Sequence, residues 1–185
     1  MSESSREADA QVDLALIARW QRGDQRAATE IVERHAQALA RFAVTHGVRG
    51  VVDEVVQDAF VRAFNSLGSF RADSSLRTWL FTILKRLVLD RQRAERRARP
   101  QVELDEGHAV QEFDALDGIV ADEAMQRVRQ AVARLSPMQR EVFVLRVSEG
   151  LPYTDIAKVV GSTEGACRVH YHNAMRAVKE FLSDD

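Results

Sequence analysis

The 185-residue sequence predicts an all-α protein. Two small helical domains, residues 1–97 and 125–185, are expected to be joined by a flexible acidic linker at 98–124, the second domain containing a helix-turn-helix. Three observations lead to this reading. Apolar residues recur at spacings of three and four at both ends of the chain, and no β-alternation is long enough for a strand. Charge is segmental: residues 1–97 carry 16 basic and 13 acidic side chains, 98–124 carry one and eight, and 125–185 carry nine and seven. The run from Leu151 to Ala174 has the layout of two short helices around a glycine turn.

Leu14, Leu16, Ile17 and Trp20 mark a first helix, which Gly23-Asp24 ends. Asp24 can cap a second helix to about Val44, with Ala27, Ala28, Ile31, Val32, Leu39 and Phe42 for the core. Gly47 and Gly50 bracket a turn. A third helix over about 51–67 buries Val52, Val55, Val56, Ala59, Phe60 and Phe64. Residues 68–75 form a loop. A fourth helix from about Leu76 has Trp79, Leu80, Ile83, Leu84 and Leu87 as its apolar stripe. It ends in a basic run of Lys85, Arg86, Arg91, Arg93, Arg96, Arg97 and Arg99. The segment 98–124 holds Pro100, Gly107 and Gly118 and has weak periodicity. It reads as a linker, because unstructured loops this long are uncommon inside compact domains.

In the carboxy-terminal run, Pro152 and Tyr153 open a short helix, since proline is tolerated in a first turn. Ile156, Ala157 and Val160 give it one apolar face. Gly161 breaks it by taking a positive φ. Ser162 or Thr163 can cap the next helix. There Cys167, Tyr171, Ala174 and Val178 line the buried side, while Gly165, Val169, His172 and Arg176 point away and Arg168 lies on the flank. The second helix of such a unit can lie in the major groove. Arg168 and Arg176 suit phosphates or guanine edges, and His172 or Asn173 can bond a base. Glu164 can accept from a cytosine amine or favour the positive end of the helix dipole.

Hydrophobic residues at 45% and charged residues at 29% are ordinary for a folded protein. No apolar stretch approaches a membrane span of about 20 residues, and Met1 to Ala10 lacks the apolar core of a signal peptide. Membrane insertion is therefore not expected, and a cytoplasmic location is. Cys167 is the single cysteine, which leaves no internal disulfide. Catalysis fits poorly. His170 and His172 diverge by about 200° on a helix. His35, His46 and His108 lack ligand-spaced companions, and no phosphate-binding glycine loop is present. A non-enzymatic protein without a cofactor or metal is expected.

The segment Asp53-Glu54-Val55-Val56-Gln57-Asp58-Ala59-Phe60-Val61-Arg62-Ala63-Phe64 resembles the polymerase-binding helix of bacterial sigma factors. Ser69-Phe70-Arg71, the run from Leu76 to Ile83, and Leu89-Asp90-Arg91-Gln92-Arg93 resemble the promoter-melting part of the same domain. The run from Leu135 to Phe143, with the helix-turn-helix, resembles the promoter-reading domain. With two domains and a short linker, the chain is similar to the extracytoplasmic-function (ECF) sigma factors of the sigma-70 family from Asp13 to Leu182.

Asp53, Glu54, Gln57 and Asp58 form an acidic, amide-bearing face that DNA would repel and a basic protein partner would suit. The resemblance makes that partner the clamp coiled coil of core RNA polymerase, with the polymerase flap as a second contact. It assigns minus-ten DNA to Asn65, Ser66, Phe70, Arg71, Arg77, Thr78, Trp79, Lys85, Arg86, Arg91 and Arg93. Such a mixture of aromatic, hydroxyl and basic groups can hold phosphates and pocket an unpaired base. It assigns the minus-thirty-five element to Ser162, Thr163, Glu164, Arg168, Val169, His172, Asn173 and Arg176. It also implies an anti-sigma factor. The family commonly carries asparagine where this chain has Arg86. The expected function is to bring polymerase to promoters and help open them. The competing reading is a sigma-like DNA-binding regulator that never joins polymerase, which would not need the acidic helix.

Overall fold

The computed structural model describes residues 3–98 and 123–183. The linker expected at 98–124, with His108 and Arg99, falls almost wholly outside the described residues. Every helix or strand among the described residues is helical. The order is α1 (Glu3–Gln21), α2 (Gln25–Thr45), α3 (Val52–Ser66), a 3₁₀ turn (Leu67–Ser69), α4 (Leu76–Ala98), α5 (Glu123–Ala133), α6 (Pro137–Val147), α7 (Tyr153–Val160) and α8 (Glu164–Ser183).

The helix limits follow local chemistry. Asp24 accepts from the Arg26 N–H at 3.0 Å and starts α2. Ser75 accepts from the Thr78 N–H at 3.1 Å and starts α4, a cap inside what the sequence presents only as loop. Pro137 opens α6, and the Ser136 N–H reaches Gln139 Oε1 at 3.3 Å. Gly161 ends α7 with φ +72, a left-handed conformation that favours glycine. Thr163, not Ser162, caps α8 by accepting from the Ala166 N–H at 3.1 Å.

One expectation is corrected at the amino terminus. α1 begins at Glu3 rather than near Leu14, and Leu14 is 39% exposed. Leu16 and Ile17 are buried as expected. The extension carries Asp13 inward, 3% exposed, where it meets Arg34 Nε at 3.0 Å and His35 Nε2 at 3.1 Å. Polar residues with no apolar stripe gave no signal for this extra helix.

The amino-terminal core centres on Phe42 and Phe81, whose rings lie 4.9 Å apart, with Leu39, Leu80, Leu84 and Val55 fully enclosed. Truncating an enclosed ring such as Phe42 to alanine costs about 3–5 kcal/mol. A smaller core joins α5, α6 and α8 through Ala131, Val132, Leu135, Phe143, Val144, Ala174 and Val178. The main apolar cluster does not stop at the end of α4. It continues through Val142, Leu145, Leu151, Ile156, Val159, Val160 and Cys167. The two halves of the chain are thus packed together, α6 on α2 and α7 on α4.

Candidate functional site

The four residues expected to meet polymerase stand together. Val55, Val56, Ala59, Phe60 and Ala63 turn α3 inward. At about 100° per residue the remaining side holds Asp53, Glu54, Gln57 and Asp58, all exposed. Asp53 and Glu54 lie in the first turn, where carboxylates favour the helix dipole. Arg91 of α4 approaches Glu54 at 3.6 Å. The acidic face therefore borders the basic end of α4.

Beyond α3, Asn65 and Ser66 are exposed, and the Ser66 hydroxyl donates to the Arg62 carbonyl at 2.6 Å. Phe70 is half-buried against Trp79, ring centroids 5.3 Å apart, so it both packs and borders solvent. Arg71 is exposed and precedes Ala72, which holds a positive φ of 58°. Along α4, Arg86 and Arg93 are exposed.

Three of the expected minus-ten residues are not open. Thr78 is 1% exposed, a correction to its placement on a free surface. Its hydroxyl bonds Ser75 at 2.9 Å and Asp155 of α7 at 3.2 Å. Arg77 pairs with Glu149, which also receives Arg41 Nε at 3.0 Å. Glu149 is itself 2% exposed. Lys85 reaches Glu141 at 2.7 Å and the Val160 carbonyl at 3.2 Å. Apart from Ser75, each partner of these three α4 side chains comes from α6, α7 or the turn between them, a placement that periodicity within α4 cannot give.

Glu141 sits in a small buried charge cluster. Burial pushes its carboxyl up. His46 at 3.4 Å and Lys85 outweigh this and hold it below the usual carboxylate range. Glu141, Glu149 and Asp155 escaped sequence reasoning. Each looks like an ordinary surface carboxylate in its local sequence, and only long-range packing gives it a role.

The helix-turn-helix forms with α7 as first helix and α8 as second. Cys167, Ala174 and Val178 face inward, and Tyr171 is half-buried. Burial pushes the Cys167 thiol up, with Glu141 adding to the effect, so it stays protonated at neutral pH. Ser162, Thr163, Arg168, Val169, His172 and Arg176 are exposed, while Glu164 and Asn173 are half-exposed. The outer face of α8 thus has the composition that the sequence predicts. Arg168 pairs with Glu164 and lies 4.7 Å from the Tyr153 ring.

No described helix is long and apolar enough to cross a membrane.

Comparison with known proteins gives the family. The family model Sigma-70 region 2 matches residues 31–98, and Sigma-70, region 4 matches residues 125–178. The ECF RNA polymerase sigma-E factor of Escherichia coli (strain K12) is 30% identical over 175 residues, 90% of this chain and 92% of that protein. The RNA polymerase sigma-H factor of Pseudomonas aeruginosa is 32% identical over 181 residues, 92% and 93% of the two chains. Among solved structures, CnrH in complex with the cytosolic domain of CnrY matches with a TM-score of 0.67 at 30% identity, covering 94% of this chain and 99% of that one. The sigma factor RpoE in complex with the anti-sigma factor NepR, from Bartonella quintana, matches at 0.65 and 25% identity, covering 85% and 97%. With region 2 followed by region 4 and relatives at 30% and 32% identity over nine-tenths of the chain, this chain belongs to the ECF sigma factors, which bind RNA polymerase and direct it to promoters for transcription initiation.

Proposed function

We propose that the exposed acidic face of α3 docks on the clamp coiled coil of core RNA polymerase. The 3₁₀ turn, the loop that follows it and the basic side of α4 then hold the unpaired minus-ten strand, and α8 reads the minus-thirty-five element. The observation that carries this reading is the acidic face. Asp53, Glu54, Gln57 and Asp58 are all exposed on one side of a helix whose other side is core. A helix repelled by DNA, in a chain that also carries a DNA-reading unit, needs a protein partner.

Opening is a binding event in this scheme. Arg71, Arg86 and Arg93 attract the backbone, while the Phe70–Trp79 pair offers an apolar edge on which a flipped base can stack. Binding the displaced strand offsets the cost of unpairing, so no nucleotide hydrolysis and no cofactor is required. The residues 98–124 serve as the tether between the two promoter contacts, domain limits 1–97 and 125–185 being part of the same proposal. CnrH and RpoE were solved with CnrY and with an anti-sigma factor. By analogy this chain has an anti-sigma partner and works in the cytoplasm.

Asp58→Arg tests the reading. The side chain is exposed, so the variant folds with unchanged helix content, and its affinity for core polymerase falls. A folded Asp58→Arg protein that binds core polymerase as wild type does removes the clamp assignment. It would favour a DNA-binding regulator that acts without polymerase.

A further inference from the structure

The outer stripe of α8 holds one group that neither charge nor hydrogen bonding explains. Val169 is 59% exposed, more than any other large apolar side chain among the described residues. It belongs to neither apolar core. A β-branched residue is also a poorer helix former than alanine, so the helix itself does not call for valine there. Its place is the second turn of α8, within the amino-terminal part from which a recognition helix reaches base edges. The surroundings leave it bare. Gly165, one turn before, carries no side chain, and the space where its Cβ would stand has nothing within 4 Å. Helical side chains lean toward the amino terminus, so Val169 leans over this open spot. The two arginines of the same face turn to other partners. Arg168 pairs with Glu164 and lies 4.7 Å from the Tyr153 ring, and Arg176 approaches Glu180 at 4.0 Å. Gly165 and Val169 thus form a shallow apolar step among polar neighbours.

We propose that Val169 reads the C5-methyl group of a thymine in the minus-thirty-five element, with Gly165 leaving room for that base to approach. This rests on α8 being the upstream reader. Among the groups that distinguish base pairs in the major groove, the thymine methyl is the apolar one, and the rest are hydrogen-bond donors and acceptors. An isopropyl group offers those no partner. Over a guanine, adenine or cytosine edge it would strip water from polar atoms without replacing the lost bonds. Over thymine it buries methyl against methyl. The valine is also set before DNA arrives, because a β-branched side chain on a helix holds essentially one χ1 rotamer. Contact therefore sacrifices little side-chain freedom. His172 and Asn173, three and four residues on, lie beside it and suit hydrogen bonds to a neighbouring base. One position of the element is thus read by apolar contact and its neighbours by hydrogen bonds.

The test uses holoenzyme assembled from core RNA polymerase and the full chain. A pool of promoter duplexes, randomised across the minus-thirty-five and minus-ten regions, is selected for binding and sequenced. The wild type should enrich thymine at one position of the upstream element. Val169→Ala should lose that preference and keep the rest of the element. Alanine is the better helix former, so this variant keeps its fold, which circular dichroism checks. Val169→Ile retains the β-branch and should retain the preference. On the selected duplex, deoxyuridine in place of that thymine removes only the methyl. It should weaken wild-type binding about fourfold, the worth of one buried methyl group. 5-Methylcytosine there should bind better than plain cytosine by a similar factor, and Val169→Ala should bind the thymine and deoxyuridine duplexes alike. The deoxyuridine comparison needs only the wild-type chain, so it stands whatever the variants do. Wild-type binding that ignores the methyl overturns the proposal. A thymine preference that survives in Val169→Ala does so too, as does a wild type that selects no upstream thymine, and each of these leaves α8 as the reader. If Arg168→Ala, Arg176→Ala and Val169→Ala all select the wild-type element, α8 is not the upstream reader, and the proposal falls with that reading.

Discussion

Helices α4 and α8 both present polar faces expected to meet promoter DNA, and the structure treats them differently. On α8 the face is open, and Val169, an apolar residue, is 59% exposed in its midst. On α4 the face is divided. Arg86 and Arg93 are open, while Arg77, Thr78 and Lys85 lie under α6 and α7. The difference teaches what amphipathicity does and does not tell. Spacing of three and four identifies the side of a helix that avoids the core of its own bundle. It says nothing about a second set of helices that brings counter-charges to that side.

The largest expected effect breaks or supports this contrast directly. Glu149→Ala leaves Arg41 and Arg77 without their shared carboxylate in a buried place and should cost about 3–5 kcal/mol. Glu164→Ala removes the exposed partner of Arg168 and should cost about 0–1 kcal/mol. Urea unfolding at neutral pH measures both. Equal losses would mean that the α4 face is no more enclosed than that of α8.

The next effect concerns DNA rather than stability. Arg168→Ala or Arg176→Ala in holoenzyme should cost about 1–3 kcal/mol of promoter discrimination if the side chain reads a base. If it holds a phosphate, binding to every sequence weakens and the salt slope flattens by about one unit. Transcription from wild-type and minus-thirty-five-scrambled templates separates the cases. Arg77→Ala should instead behave alike on both templates, because its proposed contact lies downstream. Should both α8 variants transcribe normally and still distinguish the templates, α8 is not the upstream reader.

A smaller effect is expected with acid. The Glu141 carboxyl is held below its ordinary value of 4.5, because His46 and Lys85 outweigh the effect of burial. A depressed carboxyl adds stability above the unfolded value and loses it as pH falls through the folded one. The stability gap between wild type and Glu141→Gln should therefore be complete at neutral pH and shrink only below about pH 4.5. Thermal unfolding across that range reads it. A gap already closed at pH 6 would place the charged pair elsewhere.

Much of the fold was legible because its signals are local. Asp24, Gly161 and the apolar stripes of α2, α3, α4 and α8 announce themselves within a few residues. The acidic face of α3 was legible for the same reason, since four exposed positions follow from five buried ones. The amino-terminal turns of α1 were not, because Glu3 to Ala10 has no stripe, and Asp13 is buried only through His35 and Arg34 of α2. The contact between the two halves was invisible for a stronger reason. Arg77 and Glu149 are 72 residues apart, and neither has a neighbour in sequence that marks it.

The smallest effect tests whether the open face of α8 depends on how that helix begins. Thr163 accepts from the Ala166 N–H, and its carbonyl accepts from the Cys167 N–H at 3.0 Å. Thr163→Ala leaves one amide of the first turn without its acceptor and should cost about 1 kcal/mol, while Thr163→Ser keeps the oxygen and should cost a few tenths. The first turn carries Glu164, with Arg168 one turn on, so fraying should also loosen the Glu164–Arg168 pair. A matched pair of promoter-binding measurements on holoenzyme should then follow stability, with Thr163→Ala weaker and Thr163→Ser close to wild type. If both variants lose promoter binding equally while their stabilities differ, the methyl-bearing threonine contacts DNA itself. The amino end of α8 would then be part of the reading surface as well as its support.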